Sequence, residues 1–505
     1  MEKIKIINKS FLETDVSGYG FFVTEEEVFP KDLKKLAEIS LLPIDQLIKE
    51  RQFKGGKSEK LHFPVLINNK IKHVVLVGLG SKEKTIEIES YRGAVGTLYR
   101  TAECLKLKSL AVSLPVISLF KTDLEDLAKQ TASTWVIASY NFDEFMSKKT
   151  GAEKNKEVEL EIIVASDEHK AVKVGVDYGC VVAEAANMAR RWIDLPANIV
   201  FPTYLADRAE EVAKSGGLKI QIFGEKDVIS MGMGGLEAVS KGSHRDCHLV
   251  IMEYNCGKKT APTIGLVGKG VTFDSGGLSL KPAASMETMK EDMSGAAAVI
   301  AAMKVISELK PKVNVIAAIP LTENLPSGTA TKPGDIIRFY NGKTAEILNT
   351  DAEGRLILAD ALAYISKNYA LDALLDIATL TGACIYATGP FFSGLMSQDQ
   401  KMLDRVQKAG NSSGDAVWSL PFIDDYRAAI KSPVADISNC GSPRYKAGTS
   451  TAGLFLSNFV EEGTPWAHLD IAPTAFNVPD RSYFRSGATG VGVRLLVDFV
   501  MNWEK

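Results

Sequence analysis

Short apolar runs rich in β-branched residues alternate with helical patterns along most of this 505-residue chain. One run, Lys72–Leu79 (KHVVLVGL), is followed directly by a glycine and is typical of a buried strand. Strands that alternate with helices in this way form a parallel or mixed sheet covered by helices on both faces. We therefore predict an α/β fold, with functional sites in the loops beyond the carboxyl ends of the strands.

The same patterns place the other elements and suggest two domains. We predict further strands at Leu110–Leu119, Glu159–Ala165, Lys219–Phe223, His248–Tyr254, Thr263–Val267, Val313–Ile319 and Ala373–Ile377. We predict helices at Ile86–Lys106, Leu124–Tyr140, Val172–Trp192, Thr203–Ser215, Ala296–Glu308 and Arg355–Lys367. One core rarely serves more than about 250 to 300 residues, so the length favours a smaller α/β domain at 1–170 and a larger domain at 171–505. The larger domain would be entered through the helix at Val172–Trp192 and would hold a mixed, mostly parallel sheet flanked by helices.

The composition excludes several classes of protein. With 59 basic and 62 acidic residues, the net charge of -3 gives no support to a dedicated nucleic-acid or membrane-surface binder. The first residues, MEKIKIINKSF, lack the apolar stretch of a signal peptide. The longest apolar-looking run, Gly295–Ile306, is shorter than the ~20 residues that span a bilayer. These two features predict no membrane partner. The six cysteines form no CxxC pair, so we expect a cytoplasmic protein with reduced thiols.

Three short segments concentrate charge where a predicted strand ends or a predicted helix begins. They are GKGVTFDSGG at 268–277, followed by Lys281; MKEDM at 289–293; and NTDAEGR at 349–355. Each also has a purely structural interpretation: a glycine turn, an N-cap by Asp292, and a capping box formed by Thr350 and Glu353. The first segment lacks the GxxxxGK[ST] pattern, which disfavours nucleotide binding.

Together, the segments bring acidic side chains next to predicted core elements. The carboxylates are those of Asp274, Asp292, Asp351 and Glu353. Burying them unpaired would be very costly, whereas two divalent cations would balance their four charges. In an extended segment, Asp351, Glu353 and Arg355 would point to the same side. The sequence thus predicts an oxygen-rich site that suits Mg²⁺, Mn²⁺ or Zn²⁺.

Other hydrolytic chemistries receive little support from the sequence. The six histidines show no HExxH spacing, and His468 in the apolar run Trp466–Ile471 is expected to be a core residue. Ser275 is not part of a GxSxG nucleophile elbow, which disfavours a serine hydrolase. Cys384 is expected to be a core thiol rather than a nucleophile.

The three segments resemble the site segments of the leucyl (cytosol) aminopeptidase family of metallopeptidases. NTDAEGRL at 349–356 is identical to that family's signature octapeptide, and VGKGVTFDSGG and MKEDMSGAAAV are similar to its other two segments. The similarity extends from about Val172 to the end of the chain and includes ATLTGA at 378–383, whereas residues 1–170 are similar only loosely. The resemblance implies a leucyl aminopeptidase, an exopeptidase that removes leucine and other residues from the amino ends of peptides through a two-metal-activated water.

The resemblance also assigns roles to residues of the larger, catalytic domain. The tighter metal would be bound by Lys269, Asp274, Asp292 and Glu353. The more exchangeable metal would be bound by Asp274, Asp351 and Glu353. The catalytic residues would be Lys281 and Arg355, with the arginine holding a bicarbonate that moves the proton. The pocket for the substrate's first residue and amine would be lined by Met289, Thr379, Leu380 and Gly382.

The remaining expectations concern cofactors and partners. The resemblance implies two divalent ions per subunit, Zn or Mn with Mg as an option at the exchangeable site, and a homohexamer without a nucleic-acid partner. Two alternatives stay open: another dinuclear metal hydrolase such as a phosphoesterase, and a family member that also binds DNA. For Lys269, the residues alone favour a salt bridge, because a lysine binds metal only when neutral and its reference pKa is ~10.4.

Overall fold

The computed structural model describes residues 3–40, 42–147, 157–479 and 481–503. The chain divides into two compact units, one of Met1–Glu184 with Asp480–Arg485 and the other of Ala185–Pro479 with Ser486–Lys505. The division falls inside a 26-residue helix, His169–Asp194. The domain limits 1–170 and 171–505 stay a prediction, because a helix shared by two units does not mark where an independently folding domain begins.

The first unit is built on a six-stranded sheet. Its strands are β1 (Ile4–Ile7), β2 (Gly18–Val23), β3 (Lys60–Ile67), β4 (Lys70–Gly78), β5 (Ser109–Ser113) and β6 (Glu159–Ile163), in the order β1-β6-β5-β2-β4-β3. Its helices are α1 (Lys31–Ser40), α2 (Ile44–Glu50), α3 (Ile88–Cys104) and α4 (Leu124–Ser139). The β3–β4 pair is antiparallel and the other described pairs are parallel. Residues Val75 and Val77 enter one core cluster and Val74 and Leu76 another, so β4 is buried on both faces as its continuous apolar run predicts.

The second unit begins within α5 (His169–Asp194) and holds two sheets. Its strands are β7 (Lys219–Phe223), β8 (His248–Tyr254), β9 (Thr263–Gly268), β10 (Gly270–Asp274), β11 (Asn314–Asn324), β12 (Ile336–Arg338), β13 (Thr344–Glu346), β14 (Ala373–Ala378), β15 (Ser393–Met396), β16 (Val417–Ser419), β17 (Ile437–Ser438) and β18 (Trp466–Asp470). The nine-stranded sheet has the order β16-β15-β18-β14-β9-β11-β8-β7, with β10 beside β11, and the small sheet has the order β12-β13-β17. The large sheet is mixed and mostly parallel, as predicted.

Helices flank the large sheet. They are α6 (Pro202–Gly216), α7 (Glu225–Ser230), α8 (Gly234–Ser240), α9 (Ala283–Met286), α10 (Ser294–Leu309), α11 (Gly354–Asn368), α12 (Gly382–Thr388), α13 (Gln400–Ser413), α14 (Gly448–Ser457) and α15 (Val493–Met501). Both α10 and α11 lie against β9, where α10 also packs on α6 and α15 and α11 packs on α8 and α14. Among the described residues, no helix has the length and apolar character needed to cross a membrane.

Most predicted elements lie within a few residues of their observed bounds, but two differences matter. The strand predicted at Leu110–Leu119 ends at Ser113, and Ile117–Leu119 form a 3-10 helix instead. Pro115 lies between them and cannot donate a ladder hydrogen bond, which explains the early end. Strand β11 continues five residues beyond the predicted Ile319 to Asn324, which carries an amide side chain to the end of the sheet.

Candidate metal centre

The carboxyl ends of parallel strands bring the charged loops together. Strands β9, β10, β11 and β14 form three parallel pairs. Lys269 lies between β9 and β10, and its backbone N–H donates to the carbonyl of Ile377 on β14 at 3.1 Å. Asp274 ends β10 opposite Asn324, the last residue of β11. The site therefore lies at the edge of the sheet that the strand pattern predicts.

Lys269 is buried among acidic groups. Its Nζ lies 2.8 Å from Asp292 Oδ1 and 2.9 Å from Glu353 Oε1, and it donates to the carbonyl of Thr379 at 2.8 Å. Only 2% of the Lys269 side chain is exposed. Gly354 permits this approach, because a Cβ at that position would lie 2.5 Å from the Lys269 Cε. The loop that carries Glu353 thus closes directly over the lysine.

Lys281 joins the other two carboxylates. Its Nζ lies 2.8 Å from Asp274 Oδ2 and 2.6 Å from Asp351 Oδ1. The turn before it depends on Gly276, which has a φ of +87° and whose Cβ would meet Asp351 Oδ1 at 2.8 Å. Three carboxylates, those of Asp274, Asp351 and Glu353, each offer one oxygen within 4.8 Å of the others.

The electrostatics of this cluster indicate a place for added positive charge. Burial raises the pKa of Asp274 and Asp351 and raises that of Asp292 well above its ordinary value. Burial alone would lower the pKa of Lys269, but Asp292 and the neighbouring carboxylates outweigh it and raise that pKa. The same balance of burial and carboxylate charge raises the pKa of Lys281. Each lysine is thus held as a counter-ion by the carboxylates around it.

The donor set fits divalent cations. Asp292 Oδ2 and Glu353 Oε2 are buried, and neither has a hydrogen-bond partner among the residues that the structure describes. Buried carboxylate oxygens are normally satisfied, so these two oxygens fit the role of cation ligands. Carboxylate oxygens are the ligands that Mg²⁺ and Mn²⁺ prefer, and Zn²⁺ also accepts them.

Two of the three structural interpretations are wrong, the N-cap by Asp292 and the capping box of Thr350 and Glu353, whereas the glycine turn is present at Gly276. Helix α10 begins after Met293, which occupies the N-cap position instead of Asp292. Thr350 donates its hydroxyl to the Gly276 carbonyl at 2.7 Å, and Glu353 makes no side-chain cap on α11. The expectation of an extended segment is also wrong, because Glu353 has helical backbone angles. A turn followed by the first turn of α11, rather than alternation along a strand, brings Asp351 and Glu353 together.

Arg355 lies in the first turn of α11 and is 8% exposed. Its Nη1 donates to the carbonyl of Asn439 at 2.7 Å, while its Nε has no partner within the described part of the chain. The Asn439 side chain in turn accepts from the backbone of Leu348 at 2.8 Å and donates to the carbonyl of Asn349 at 2.7 Å. This buried asparagine therefore supports both the arginine and the loop of Asp351.

The four residues expected to line the substrate pocket have different relations to the cluster. Thr379 contacts it directly, since its hydroxyl donates to Asp292 Oδ1 at 2.8 Å. Leu380 follows it and donates its backbone N–H to Asp470 Oδ1 at 3.1 Å. Gly382 begins α12 and has open space where a Cβ would lie. Met289 begins the 3-10 turn that leads to Asp292.

Three polar residues of the site were missed from the sequence: Asn324, Asn439 and Asp470. Asp470 accepts from the backbone of Leu380 and from the hydroxyl of Thr381, so it holds the loop that contacts Lys269 and Asp292. Asn324 and Asp470 each end an apolar strand, and a polar residue at that position is a signal that could have identified them. Asn439 follows β17, which has only two residues and therefore gives no apolar run that would point to it.

His468 and Cys384 are core residues, as predicted, and Ser275 bonds to the end of a neighbouring strand. His468 is buried on β18 with Nδ1 2.5 Å from Asp376 Oδ1. Burial raises the pKa of Cys384 to about 12, so its thiol is not a ready nucleophile. Ser275 donates its hydroxyl to the carbonyl of Asn324 at 2.7 Å.

Comparison with known proteins decides the family. The cytosol aminopeptidase family matches with its catalytic domain over residues 187–497 and with its N-terminal domain over residues 21–149. A probable cytosol aminopeptidase of Alkaliphilus oremlandii is 42% identical over 466 residues, 92% of this chain and 91% of that protein. Another, of Alkaliphilus metalliredigens, is 38% identical over 509 residues and 100% of both chains.

The chain belongs to the cytosol aminopeptidase family. A solved structure of a mutant tomato leucine aminopeptidase has a TM-score of 0.88 and 29% identity, covering 99% of this chain and 97% of that one. The bottromycin maturation enzyme BotP in complex with Mn has a TM-score of 0.84 and 32% identity, covering 97% and 100%. This member of the family is a metal-dependent aminopeptidase that acts on peptides, and a different dinuclear hydrolase is not favoured.

Proposed function

We propose that this aminopeptidase removes leucine and other residues from the amino ends of peptides with two divalent cations held by its acidic cluster. One observation carries the proposal: Asp274, Asp351 and Glu353 converge within 4.8 Å, Lys281 contacts two of them, and Lys269 joins Glu353 to Asp292. The two lysines balance the four carboxylates only in part, and dications would supply the remaining positive charge and satisfy the unpartnered oxygens of Asp292 and Glu353.

The ligands divide between a tighter and a more exchangeable site. The tighter site would use Lys269, Asp274, Asp292 and Glu353, and the exchangeable site Asp274, Asp351 and Glu353. Such a cation pair supplies a nucleophilic water at neutral pH and stabilises negative charge that develops on the scissile carbonyl. We propose Zn²⁺ or Mn²⁺, with Mg²⁺ as an option at the exchangeable site, and the Mn bound to BotP supports manganese.

Lys281 acts on the substrate carbonyl. Its Nζ already lies between Asp274 and Asp351, and the charge of these carboxylates raises its pKa against the effect of burial. The side chain therefore stays a cation at neutral pH. An ammonium group held in that position polarises the carbonyl and stabilises the oxyanion that follows attack.

Arg355 serves as an anion holder rather than a base, because a guanidinium does not give up its proton at neutral pH. Its Nη1 is engaged by Asn439, but its Nε has no partner among the described residues and remains a donor. A planar anion such as bicarbonate matches that donor. Arg355 would hold bicarbonate, which would supply a group able to carry a proton between the water and the leaving amine.

The substrate's first residue lies against Met289, Thr379, Leu380 and Gly382. The contact of Thr379 with Asp292 supports this placement, since it connects the pocket loop to the acidic cluster. The free amine of the substrate would be bound at the same place. An N-acetylated peptide should therefore resist cleavage, and equal cleavage of blocked and free peptides would contradict exopeptidase action.

A metal depletion and re-addition series tests the proposal. The chelated enzyme should be inactive on amino-acid amides and should regain activity with Zn²⁺, Mn²⁺ or Mg²⁺ in an order that identifies the preferred ion. A leucine anilide should be hydrolysed and a phosphate monoester should not. Full activity after exhaustive chelation would contradict the two-metal proposal.

We also propose a cytoplasmic homohexamer, with no nucleic-acid or membrane partner. The names of the curated relatives, cytosol aminopeptidases, support the location. Light scattering of the purified chain should give six times the subunit mass of 54.7 kDa. Retention on DNA at physiological ionic strength, weakened by salt, would contradict the absence of a nucleic-acid partner.

A further inference from the structure

Asn324 holds together the loops that supply the acidic cluster. It ends β11, is 5% exposed and pairs in register with Asp274. Its Nδ2 donates to Asp274 Oδ1 at 2.8 Å and to the carbonyl of Thr350 at 3.0 Å. Both neighbours are acceptors, so the amide nitrogen and not the amide oxygen must face them. One side chain therefore spans the loop after β10 and the loop that contains Asp351.

The same residue fixes the start of the first loop through its backbone. The carbonyl of Asn324 accepts from the Ser275 N–H at 3.0 Å and from the Ser275 hydroxyl at 2.7 Å. The residue beside Asp274 is thus anchored to the end of β11. These backbone-anchored bonds fix the chain next to Asp274, while the Asn324 amide holds the Asp274 side chain.

The contacts of Asp274 are divided between its two oxygens. Oδ1 accepts from Asn324 Nδ2 and from the Gly276 N–H, each at 2.8 Å. Oδ2 lies 2.8 Å from Lys281 Nζ, which also contacts Asp351. Two neutral donors thus occupy one oxygen, while the other faces the charged groups of the cluster.

We propose that Asn324 is a positioning residue that orients the Asp274 carboxylate so that a single oxygen, Oδ2, faces the cluster. The inference rests on the proposed function, since it concerns how the cations are held. Hydrogen bonds to a metal-binding carboxylate fix its orientation, and losing such a partner typically costs about 10- to 100-fold in metal affinity or activity. Without Asn324, Asp274 could turn and offer either oxygen.

Mn²⁺ binding to the metal-depleted full-length chain tests the inference. Asn324→Ala and Asn324→Leu remove both side-chain donors, and leucine keeps the branched shape and the number of heavy atoms of the asparagine side chain. Both variants should bind Mn²⁺ at least about tenfold more weakly than the wild type. The kcat at saturating Mn²⁺ should fall with little change in KM, because Asn324 contacts no residue of the proposed substrate pocket among the described residues.

Thr322→Val is the matched control. Thr322 is fully buried on the same strand, and its hydroxyl donates to the backbone carbonyl of Glu323 at 3.3 Å rather than to the cluster. This variant should lose some thermal stability and keep wild-type Mn²⁺ affinity. An equal loss of Mn²⁺ affinity in Thr322→Val and in the Asn324 variants would overturn the inference. Removal of any buried polar group on β11 would then be enough to weaken Mn²⁺ binding.

The outcomes separate this inference from the proposed function. If the wild type fails to bind two Mn²⁺ ions, the two-metal proposal itself fails. If the wild type binds them and the Asn324 variants bind them equally well, only the inference fails. Unfolding of both Asn324 variants in the metal-free state, with Thr322→Val folded, would also overturn it by giving Asn324 a structural role.

Discussion

Lys269 is the residue to which the family resemblance and the contacts in the structure assign different roles. Its Nζ lies within 2.9 Å of Asp292 and Glu353, which is the ion-pair arrangement that the residues alone favoured. A metal ligand at this position must be neutral, and a nearby dication would favour that form over the ammonium. The two roles are compatible if cation binding displaces the proton.

Substitution of Lys269 distinguishes a metal ligand from a counter-ion. We expect Lys269→Ala to lower bound Mn²⁺ or Zn²⁺ and activity by at least about tenfold, since a ligand and a compensating charge are both lost. Metal content by mass spectrometry and turnover of a leucine anilide measure the two effects. Lys304→Ala, on the exposed face of α10, is the control and should change neither. Unchanged metal content in Lys269→Ala would exclude the ligand role.

Gly354 offers a second test at the scale of one residue. A Cβ there would lie 2.5 Å from Lys269 Cε and 2.6 Å from Lys269 Nζ. We expect Gly354→Ala to displace the lysine and reduce activity at least about tenfold, although alanine is the better helix former. Gly328→Ala, where a Cβ meets open space, is the control. Wild-type turnover in Gly354→Ala would show that the close approach is not needed.

At the scale of elements, β14 and β18 are joined by a buried ionisable pair. Asp376 accepts from Trp466 Nε1 at 2.8 Å and contacts His468 Nδ1 at 2.5 Å, and both members of the pair are fully buried. Burial alone would lower the pKa of His468, but the charge of Asp376 and its hydrogen bond raise it above the ordinary value of 6.5. The strands are therefore held most strongly when the histidine is protonated.

The upward shift of the His468 pKa predicts how the free energy of unfolding depends on pH. The stabilisation of the folded state by the His468–Asp376 pair should be fully present below pH 6.5. It should be lost as the pH rises through the higher pKa that His468 has in the folded state. His468→Gln should therefore lower the free energy of unfolding by about 3 kcal/mol at pH 6 and by less at pH 9. Denaturant unfolding at the two pH values measures the difference, with the exposed His244→Gln as control. A loss in His468→Gln that grows with pH would contradict the assignment.

At the scale of the whole molecule, the acidic cluster connects loops from separate parts of the second unit. Lys269 and Lys281 neutralise part of the cluster, so the metal-free chain should stay folded. Cations that bind only the folded state should stabilise it further, by about 2.7 kcal/mol at 100 times the dissociation constant. The melting temperature of the chelated enzyme should therefore rise with added Mn²⁺. A melting temperature independent of Mn²⁺ would contradict binding at this cluster.

The chain also contributes to its first unit from a distant segment. Residues 481–485 belong to that unit, and Ser482 donates its hydroxyl to the carbonyl of Gly93 at 2.7 Å. Tyr483 is 1% exposed and donates to Glu89 Oε1 at 2.6 Å. No periodic pattern in a short irregular segment indicates such a contact, because the partner is nearly 400 residues away in sequence.

The sequence by itself determined the elements and the kind of site. Apolar runs such as the one in β4 specify buried strands, because a strand covered on both faces needs apolar residues at every position. Four carboxylates next to such strands require compensating charge wherever they meet, so a cation site followed from composition and position.

Only the tertiary structure decided which atoms face one another. The turn before α11, and not an extended segment, joins Asp351 to Glu353, and Asn324 and Asn439 orient the loops from other strands. Buried positions can be predicted from the sequence because they follow the local spacing of apolar residues. Hydrogen-bond partners cannot be predicted in this way. They depend on distances of a few ångströms between segments that come together only when the chain packs.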